Sequence, residues 1–361
     1  MLLFSTKVPE YRNLNKIFVY KSALKQNLEH FKDILPGKSI CPVLKSNAYG
    51  HGLIEVAKIL DGENADFFLV DSLFEAYKLK KSRIKTPILI LGYTSPENLK
   101  TRLPFHFTAS NKESLETLHR LKLPIHLEID TGMNRMGFTW KNFEQDLIFI
   151  KKMNPKIEGF FTHLACADSS DDAFTNLQID RFLTALKLFK EAGFNPKYIH
   201  VGNSAGAKKT NRPEFNMLRL GISLYKNALR FDATLINLQN LQKGETVGYS
   251  ATYTAEENQT IGIVSAGYYE GVPISLSNKG FMEINGHICP IVGRVCMNHT
   301  MIRLPNSADL KADFKVGSAV TIYSNEDDAK NSVEAQAKLA GTISYELIAR
   351  LSESTKRQIQ E

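Results

Sequence analysis

Lys45, Arg135, His163, Asn203, Ser204, Arg219 and Gly221 are the residues whose types and positions could carry chemistry. Each sits at, in or just beyond the end of a short apolar run. Lys45 follows 40–44, Arg135 follows 125–129, and His163 ends 158–163; Asn203 and Ser204 follow 199–202, while Arg219 and Gly221 belong to 218–222. A lysine amine forms an imine with an aldehyde. Arginines capture anions, and small residues let backbone N–H groups approach a phosphate closely. These residue types by themselves support pyridoxal phosphate or sugar-phosphate chemistry on the rim of a barrel, and nothing narrower.

The elements that must position them follow from the hydropathy pattern. Eight β-type apolar runs, at 40–44, 67–70, 88–91, 106–109, 125–129, 158–163, 199–202 and 218–222, alternate with longer amphipathic stretches. Near-continuous apolar strands separated by helices imply a parallel sheet covered on its outer face. The clearest helix precedes the seventh run, where Phe182, Leu186 and Phe189 recur at i, i+4 and i+7 and Gly193 follows as a stop. Eight such units predict an α/β fold of the (β/α)8 TIM-barrel type, with a doubly wound open sheet as the alternative. In a TIM barrel the reactive groups lie beyond the C-terminal strand ends, where this set falls.

After Leu235 the texture changes to short runs at 260–265, 281–284, 288–292 and 319–323, separated by Gly, Asn and Pro. Asn285-Gly286 is a strong hairpin signal, and a closing helix is expected at 344–351. The expected organisation is therefore a barrel domain over 1–232 and a smaller, mostly β C-terminal domain over 233–361. The run 17–20 is a candidate strand pairing with the second domain.

Composition bounds the function. The 361 residues are 43% hydrophobic and 23% charged with a net charge of +7, ordinary for a soluble globular protein with a large core. Basic residues are scattered beside acids, as in Lys112-Glu113 and Lys190-Glu191, rather than gathered on one face with aromatics, so no nucleic-acid partner is expected. Cys41, Cys166, Cys289 and Cys296 lack metal-ligand spacing and suit buried free thiols in a reducing compartment; no metal is expected. Met1-Leu2-Leu3-Phe4 turns polar at once, unlike a signal peptide, and the apolar runs are too short to cross a bilayer. A cytoplasmic protein without a membrane partner is expected.

Longer motifs narrow the chemistry. Val43-Leu44-Lys45-Ser46-Asn47-Ala48-Tyr49-Gly50-His51-Gly52 resembles the cofactor-lysine signature of alanine racemases, the fold-type III amino-acid racemases. Further segments match in order: Asp130-Thr131-Gly132-Met133-Asn134-Arg135-Met136-Gly137, Thr162-His163-Leu164-Ala165, His200-Val201-Gly202-Asn203-Ser204-Ala205 and Arg219-Leu220-Gly221-Ile222. Val247-Gly248-Tyr249-Ser250-Ala251-Thr252, Gly293-Arg294-Val295-Cys296-Met297 and Gly341-Thr342-Ile343-Ser344-Tyr345-Glu346 complete the set. The resemblance spans Ile17 to Leu351.

The resemblance implies interconversion of L- and D-alanine with pyridoxal 5'-phosphate (PLP), supplying D-alanine for peptidoglycan. It makes Lys45 the imine-forming residue and the base on one face of the substrate Cα. It makes Tyr249, contributed by the partner of a homodimer, the base on the other face. Removing a hydrogen from one side and returning it to the other requires two flanking groups. We expect His163 and Arg219 to bias the phenol toward its anion. The resemblance sets Arg219 against the pyridine nitrogen, His163 against the ring, and Tyr49, Ser204, Gly221, Ile222 and Tyr345 around the phosphate. Asn203 joins the cofactor-binding set, and Arg135 with the Met297 backbone N–H holds the substrate carboxylate.

Several positions depart from the family pattern, among them the place of the arginine that normally follows the motif at 267–271, replaced here around Pro273-Ile274. Glu128 occupies the place of a lysine that is carbamylated in many members, and a carboxylate there could orient Arg135 without CO2. Met297-Asn298 replaces a Met-Asp pair, and Gly267-Tyr268-Tyr269-Glu270-Gly271 replaces a Gly-Tyr-x-Asp-Gly. The altered mouth leaves serine or a broader amino-acid range as an alternative substrate class. A PLP-dependent amino-acid decarboxylase is a further alternative, although it would set an acid, not Arg219, against the pyridine nitrogen. Singly, each residue has a duller reading: Lys45 a solvated lysine, His163 a core histidine, Arg135 and Arg219 salt-bridge partners, Tyr249 an interface aromatic, Met297 core filler and Ser204 a helix cap. Their joint order makes those readings improbable together.

Overall fold

The computed structural model describes residues 11–305 and 314–361; the opening Met1–Phe4 stretch lies outside them. By contact density the chain divides into two units. One is Lys21–Lys226; the other joins the segment ending at Tyr20 to the described residues from Asn227 onward. Strand β1 (Lys16–Tyr20) thus belongs with the second unit.

Eight strands of the first unit make up the ring: β2 (Ser39–Pro42), β3 (Phe68–Val70), β4 (Ile88–Ile90), β5 (His106–Ala109), β6 (Ile125–Asp130), β7 (Ile157–Phe161), β8 (Tyr198–His200) and β9 (Met217–Leu220), with the short strand Phe138–Thr139 added beside β6. They pair in parallel in chain order from β3 to β8, and β9 pairs in parallel with β2, Arg219 opposite Cys41. The ring closes through a parallel bridge between Val43 and Leu69 and through the Asn216 N–H donating to Ile199 O at 3.1 Å. This is the expected TIM barrel, each strand within two residues of its run. Cys41, Val43, Phe67, Leu69, Leu89, Tyr198 and Met217 cluster in its core. The helix Ala173–Glu191 buries Phe182, Leu186 and Phe189, and the Phe189 ring stacks on Phe160 of β7 with centroids 4.6 Å apart. Apolar burial of this kind is the main source of stability.

In the second unit are β10 (Leu229–Leu241), β11 (Gln259–Val264), β12 (Phe281–Ile284), β13 (His287–Pro290), β14 (Thr300–Arg303), β15 (Ala319–Tyr323) and β16 (Lys356–Gln360). The long β10 runs antiparallel to β1, β11 and β15, while β16 lies parallel to β1. β12 and β13 form the hairpin signalled by Asn285-Gly286, whose φ values of 50° and 81° are those of a primed turn. The closing helix is shorter than expected, Ser344–Ala349. Strands β14 and β16 had no sequence signal of their own. Lys356–Gln360 is a polar, half-exposed edge strand without the alternation that marks a buried face. Among the described residues no helix is long and apolar enough to cross a membrane.

Candidate active site

Lys45 lies three residues past β2 and opens an unusual turn. Ser46, Asn47, Ala48 and Tyr49 all adopt left-handed φ values, 56°, 56°, 52° and 51°. Each such L-residue costs roughly 1–2 kcal/mol against the right-handed alternative, so the run persists only because its surroundings hold it. Inside the turn the Ala48 N–H donates to Leu44 O at 2.8 Å and the Asn47 side chain accepts from Leu53 N–H at 2.8 Å. From outside, the buried Glu75 side chain accepts from Ser46 N–H at 2.6 Å and from Asn47 N–H at 3.4 Å. The turn delivers Tyr49 to β9: a Cβ built on Gly221 would lie 3.0 Å from the Tyr49 hydroxyl. Ser204 completes this corner, its hydroxyl accepting from Gly221 N–H at 2.9 Å and Ser223 N–H at 3.3 Å, where the 3-10 turn Ile222–Tyr225 begins. Asn203 braces the same loop by accepting from Gly206 N–H at 2.8 Å.

Arg219 is buried inside the barrel at 3% exposure. Nη1 donates to His200 Nδ1 at 2.9 Å and His200 O at 3.1 Å. Nη2 faces Thr162 O at 2.9 Å, His163 Nδ1 at 3.2 Å and Val201 O at 3.2 Å. The four terminal N–H groups are therefore committed to barrel acceptors, and only Nε–H remains for a ligand. Burial lowers the guanidinium to about 10, which still leaves it a cation at neutral pH.

Because arginine only donates, it fixes its neighbours' tautomers. His200 Nδ1 and His163 Nδ1 must accept, so each ring carries its hydrogen on Nε2. His200 Nε2 then donates to His126 Nδ1 at 3.0 Å, and the far His126 nitrogen is buried with no partner. Gly159 makes room for this ring, since a Cβ there would lie 2.1 Å from His126 Nδ1. Desolvation, reinforced by Arg219, pushes His163 down to about 3 and His126 and His200 well below 6.5. Their stability contribution is present above the ordinary value and is lost as pH falls from 6.5, down to about 3 for His163. Lowering the pH from about 7 to about 5.5 should therefore remove on the order of 3–4 kcal/mol across the three rings. Urea unfolding at the two pH values measures it; a loss below about 1 kcal/mol would mean that the folded protein takes up these protons.

Arg135 follows the loop 130–134, shaped by Asp130, whose carboxylate accepts from Gly132 N–H at 2.9 Å and Asn134 N–H at 3.0 Å. Glu128 lies 6% exposed in the same small pocket, together with Arg135, Met136 and His163. Burial raises its carboxyl above the ordinary value, opposed by the Arg219 and Arg135 charges. Arg135, itself exposed, acts on Glu128 through its charge and not through a hydrogen bond. Three expected site residues belong to the second unit and are exposed: Tyr249 at 69%, Met297 at 55% and Tyr345 at 41%. Tyr249 opens the 3-10 turn Tyr249–Ala251 behind Gly248, and Tyr345 sits in the first turn of Ser344–Ala349.

The chain matches the model of the alanine racemase N-terminal domain over residues 19–228 and that of the C-terminal domain over 228–359. An alanine racemase from Carboxydothermus hydrogenoformans is 35% identical over 352 residues, covering 91% of this chain and 95% of that protein. The chain belongs to the alanine racemase family. Among solved structures, alanine racemase from Clostridium difficile superposes with a TM-score of 0.89 at 28% identity, covering 98% of this chain and 97% of that one. The Bacillus anthracis alanine racemase with bound L-Ala-P superposes at 0.88 with 30% identity, covering 98% and 96%.

Two departures from the alanine racemase pattern touch each other. The Asn298 amide donates to Glu270 Oε1 at 2.8 Å, while Glu270 Oε2 accepts from Gly267 N–H at 2.9 Å. An aspartate at 298 would set two carboxylates side by side; asparagine supplies a donor instead. The adjoining Tyr268 and Tyr269 N–H groups donate to Cys296 O and Met297 O at 3.0 and 2.9 Å, lacing this loop to Met297. Sequence reasoning missed Glu75, His126 and His200. The period-2 pattern placing His126 beside Glu128 on the inward face of β6 was a usable signal for one of them.

Proposed function

We propose that this protein is a PLP-dependent alanine racemase, working as a cytoplasmic homodimer with two bases and supplying D-alanine for peptidoglycan. The first unit suits the cofactor. Tyr49, Ser204, Gly221 and Ile222 form a corner with hydroxyl groups, first-turn amides and only tight room for a Cβ at 221, which fits a phosphate. Tyr345 from the second unit joins this set, with Asn203 bracing its loop. Lys45 is the amine for the aldehyde. When bound, PLP would draw electrons from the Cα of an amino acid joined to it and so acidify the Cα–H.

The chain's own residues do the rest. Lys45 moves the proton on one face, and Tyr249 of a second copy moves it on the other. Arg135 and the Met297 N–H hold the substrate carboxylate, with Glu128 setting the charge behind Arg135. His163, held neutral, would flank the cofactor ring. The observation that carries the reading is the commitment of Arg219, whose single remaining donor is Nε–H. Through that donor Arg219 would hold a pyridine nitrogen without giving it a proton, which would favour return of the proton to Cα over decarboxylase or transaminase outcomes.

Mixing Lys45→Ala and Tyr249→Phe subunits tests the shared site. Random re-association yields mixed dimers with one intact Lys45/Tyr249 pair, so roughly one quarter of wild-type alanine racemisation should return. No recovery would refute a site built from two copies, and CO2 release in place of inversion would move the assignment to a decarboxylase. The same assay on serine and other L-amino acids sets the substrate range.

A further inference from the structure

We propose that Glu75 is a positioning residue for Lys45, holding the left-handed run Ser46–Tyr49 in place through the backbone. Four consecutive left-handed L-residues directly after the imine-forming lysine are a strained device, and strain of this kind survives only where the surroundings over-determine it. Glu75 is 8% exposed and takes no part in the proposed proton transfers. Its Oε1 accepts from Ser46 N–H at 2.6 Å and Asn47 N–H at 3.4 Å, and its Oε2 accepts from Asp71 N–H at 2.8 Å. One side chain thus ties the loop after β2 to the loop after β3. It stands in the first turn of the helix Leu73–Lys81, capped by Ser72, where the helix field favours an anion.

The geometry has two consequences at the site. The Ser46 amide is the first backbone group after Lys45, so its direction sets where the Lys45 Cα–Cβ bond points. The last left-handed residue with a side chain is Tyr49, whose hydroxyl meets Gly221. Were the run to relax toward right-handed φ values, the amine and the hydroxyl would both be displaced. A misplacement of about 1 Å is enough to cost on the order of 100-fold in rate.

This inference rests on the PLP-racemase reading, and its test separates the two. In the holoenzyme, Glu75→Ala is expected to weaken PLP retention and to lower kcat by about 10–100-fold each, with KM for alanine moving less than about threefold. Hydrogen exchange at the Ser46 and Asn47 amides should quicken in step. Glycine adopts left-handed φ without penalty, so adding Ser46→Gly to Glu75→Ala should recover threefold or more of the lost PLP affinity, roughly. Glu75→Gln, which keeps an acceptor for one loop only, should fall between; it carries the test if Glu75→Ala does not fold. PLP retention and kcat within about twofold of wild type in the folded variants, or a loss that glycine does not relieve, overturns the proposal. A wild-type protein that neither retains PLP nor racemises alanine defeats the functional reading instead. Amide exchange at Ser46 and Asn47 then still decides the clamp: unchanged exchange in Glu75→Ala overturns it, and faster exchange supports it.

Discussion

Tyr249→Phe should lower alanine racemisation by about 10²–10⁴-fold, the range a positioned general base supplies, while leaving the visible absorption of the lysine-bound cofactor intact. Tyr249 is 69% exposed in the turn Tyr249–Ala251, and among the described residues its hydroxyl makes no hydrogen bond. Stability should therefore be almost unaffected, which isolates the chemical step. The decisive readout is solvent deuterium at Cα. With one base remaining, exchange without inversion should persist for the enantiomer whose hydrogen faces Lys45 and vanish for the other. Equal loss for both enantiomers would mean that Lys45 and Tyr249 do not serve opposite faces.

Arg219→Glu should act on chemistry and on folding together. In the proposed site the substitution would set an acid, able to share a proton, where Arg219 would donate to the pyridine nitrogen. Racemisation should fall by about 10²–10³-fold, as when one preorganised donor is removed, and conversion of PLP to its amine form by transamination should rise relative to racemisation. The structural effect is separate. His200 Nδ1, His163 Nδ1 and the carbonyls of Thr162, His200 and Val201 lose their donor, and the new carboxylate is buried near Glu128. Each orphaned buried acceptor costs about 1–3 kcal/mol before relaxation, so a net loss of about 3 kcal/mol or more is expected. Chemical denaturation of the variant measures it. A variant as stable as wild type, with no added transamination, would remove Arg219 from both roles.

The acid lability of the three neutral histidines and the stability cost of Arg219→Glu share one origin. Arg219, His200 and His126 form a hydrogen-bonded chain down the barrel interior, and its direction is dictated by the only member that cannot accept. Removing the arginine frees both rings to change tautomer or take a proton. The pH dependence of stability should therefore be shallower in Arg219→Glu than in wild type once the loss of global stability is subtracted.

Much of this was legible in the chain itself. Apolar runs at 40–44 through 218–222 specified eight parallel strands because each must be buried on both faces, and their ends located Lys45, Arg135, His163, Ser204 and Arg219. The ordered motifs placed the chain in its family. The hairpin at Asn285-Gly286 followed from local backbone preference, and so did the helix carrying Phe182 and Phe189. Strands β14 and β16 were not legible, since short or polar edge strands are defined by what they pair with.

Other features depended on the closed barrel. Residue types and local spacing determine which groups exist and on which strand end they emerge, because both are properties of a few neighbouring residues. They do not determine that Arg219 spends its terminal N–H groups inward, that His126 meets His200 across 74 positions, or that Glu75 reaches back 29 positions to hold the turn after Lys45. Those are hydrogen bonds between distant segments, and their donors and acceptors are assigned only when the sheet closes and water is excluded. The family and the reactive groups were written locally; their tautomers, charge states and aim were decided by the fold.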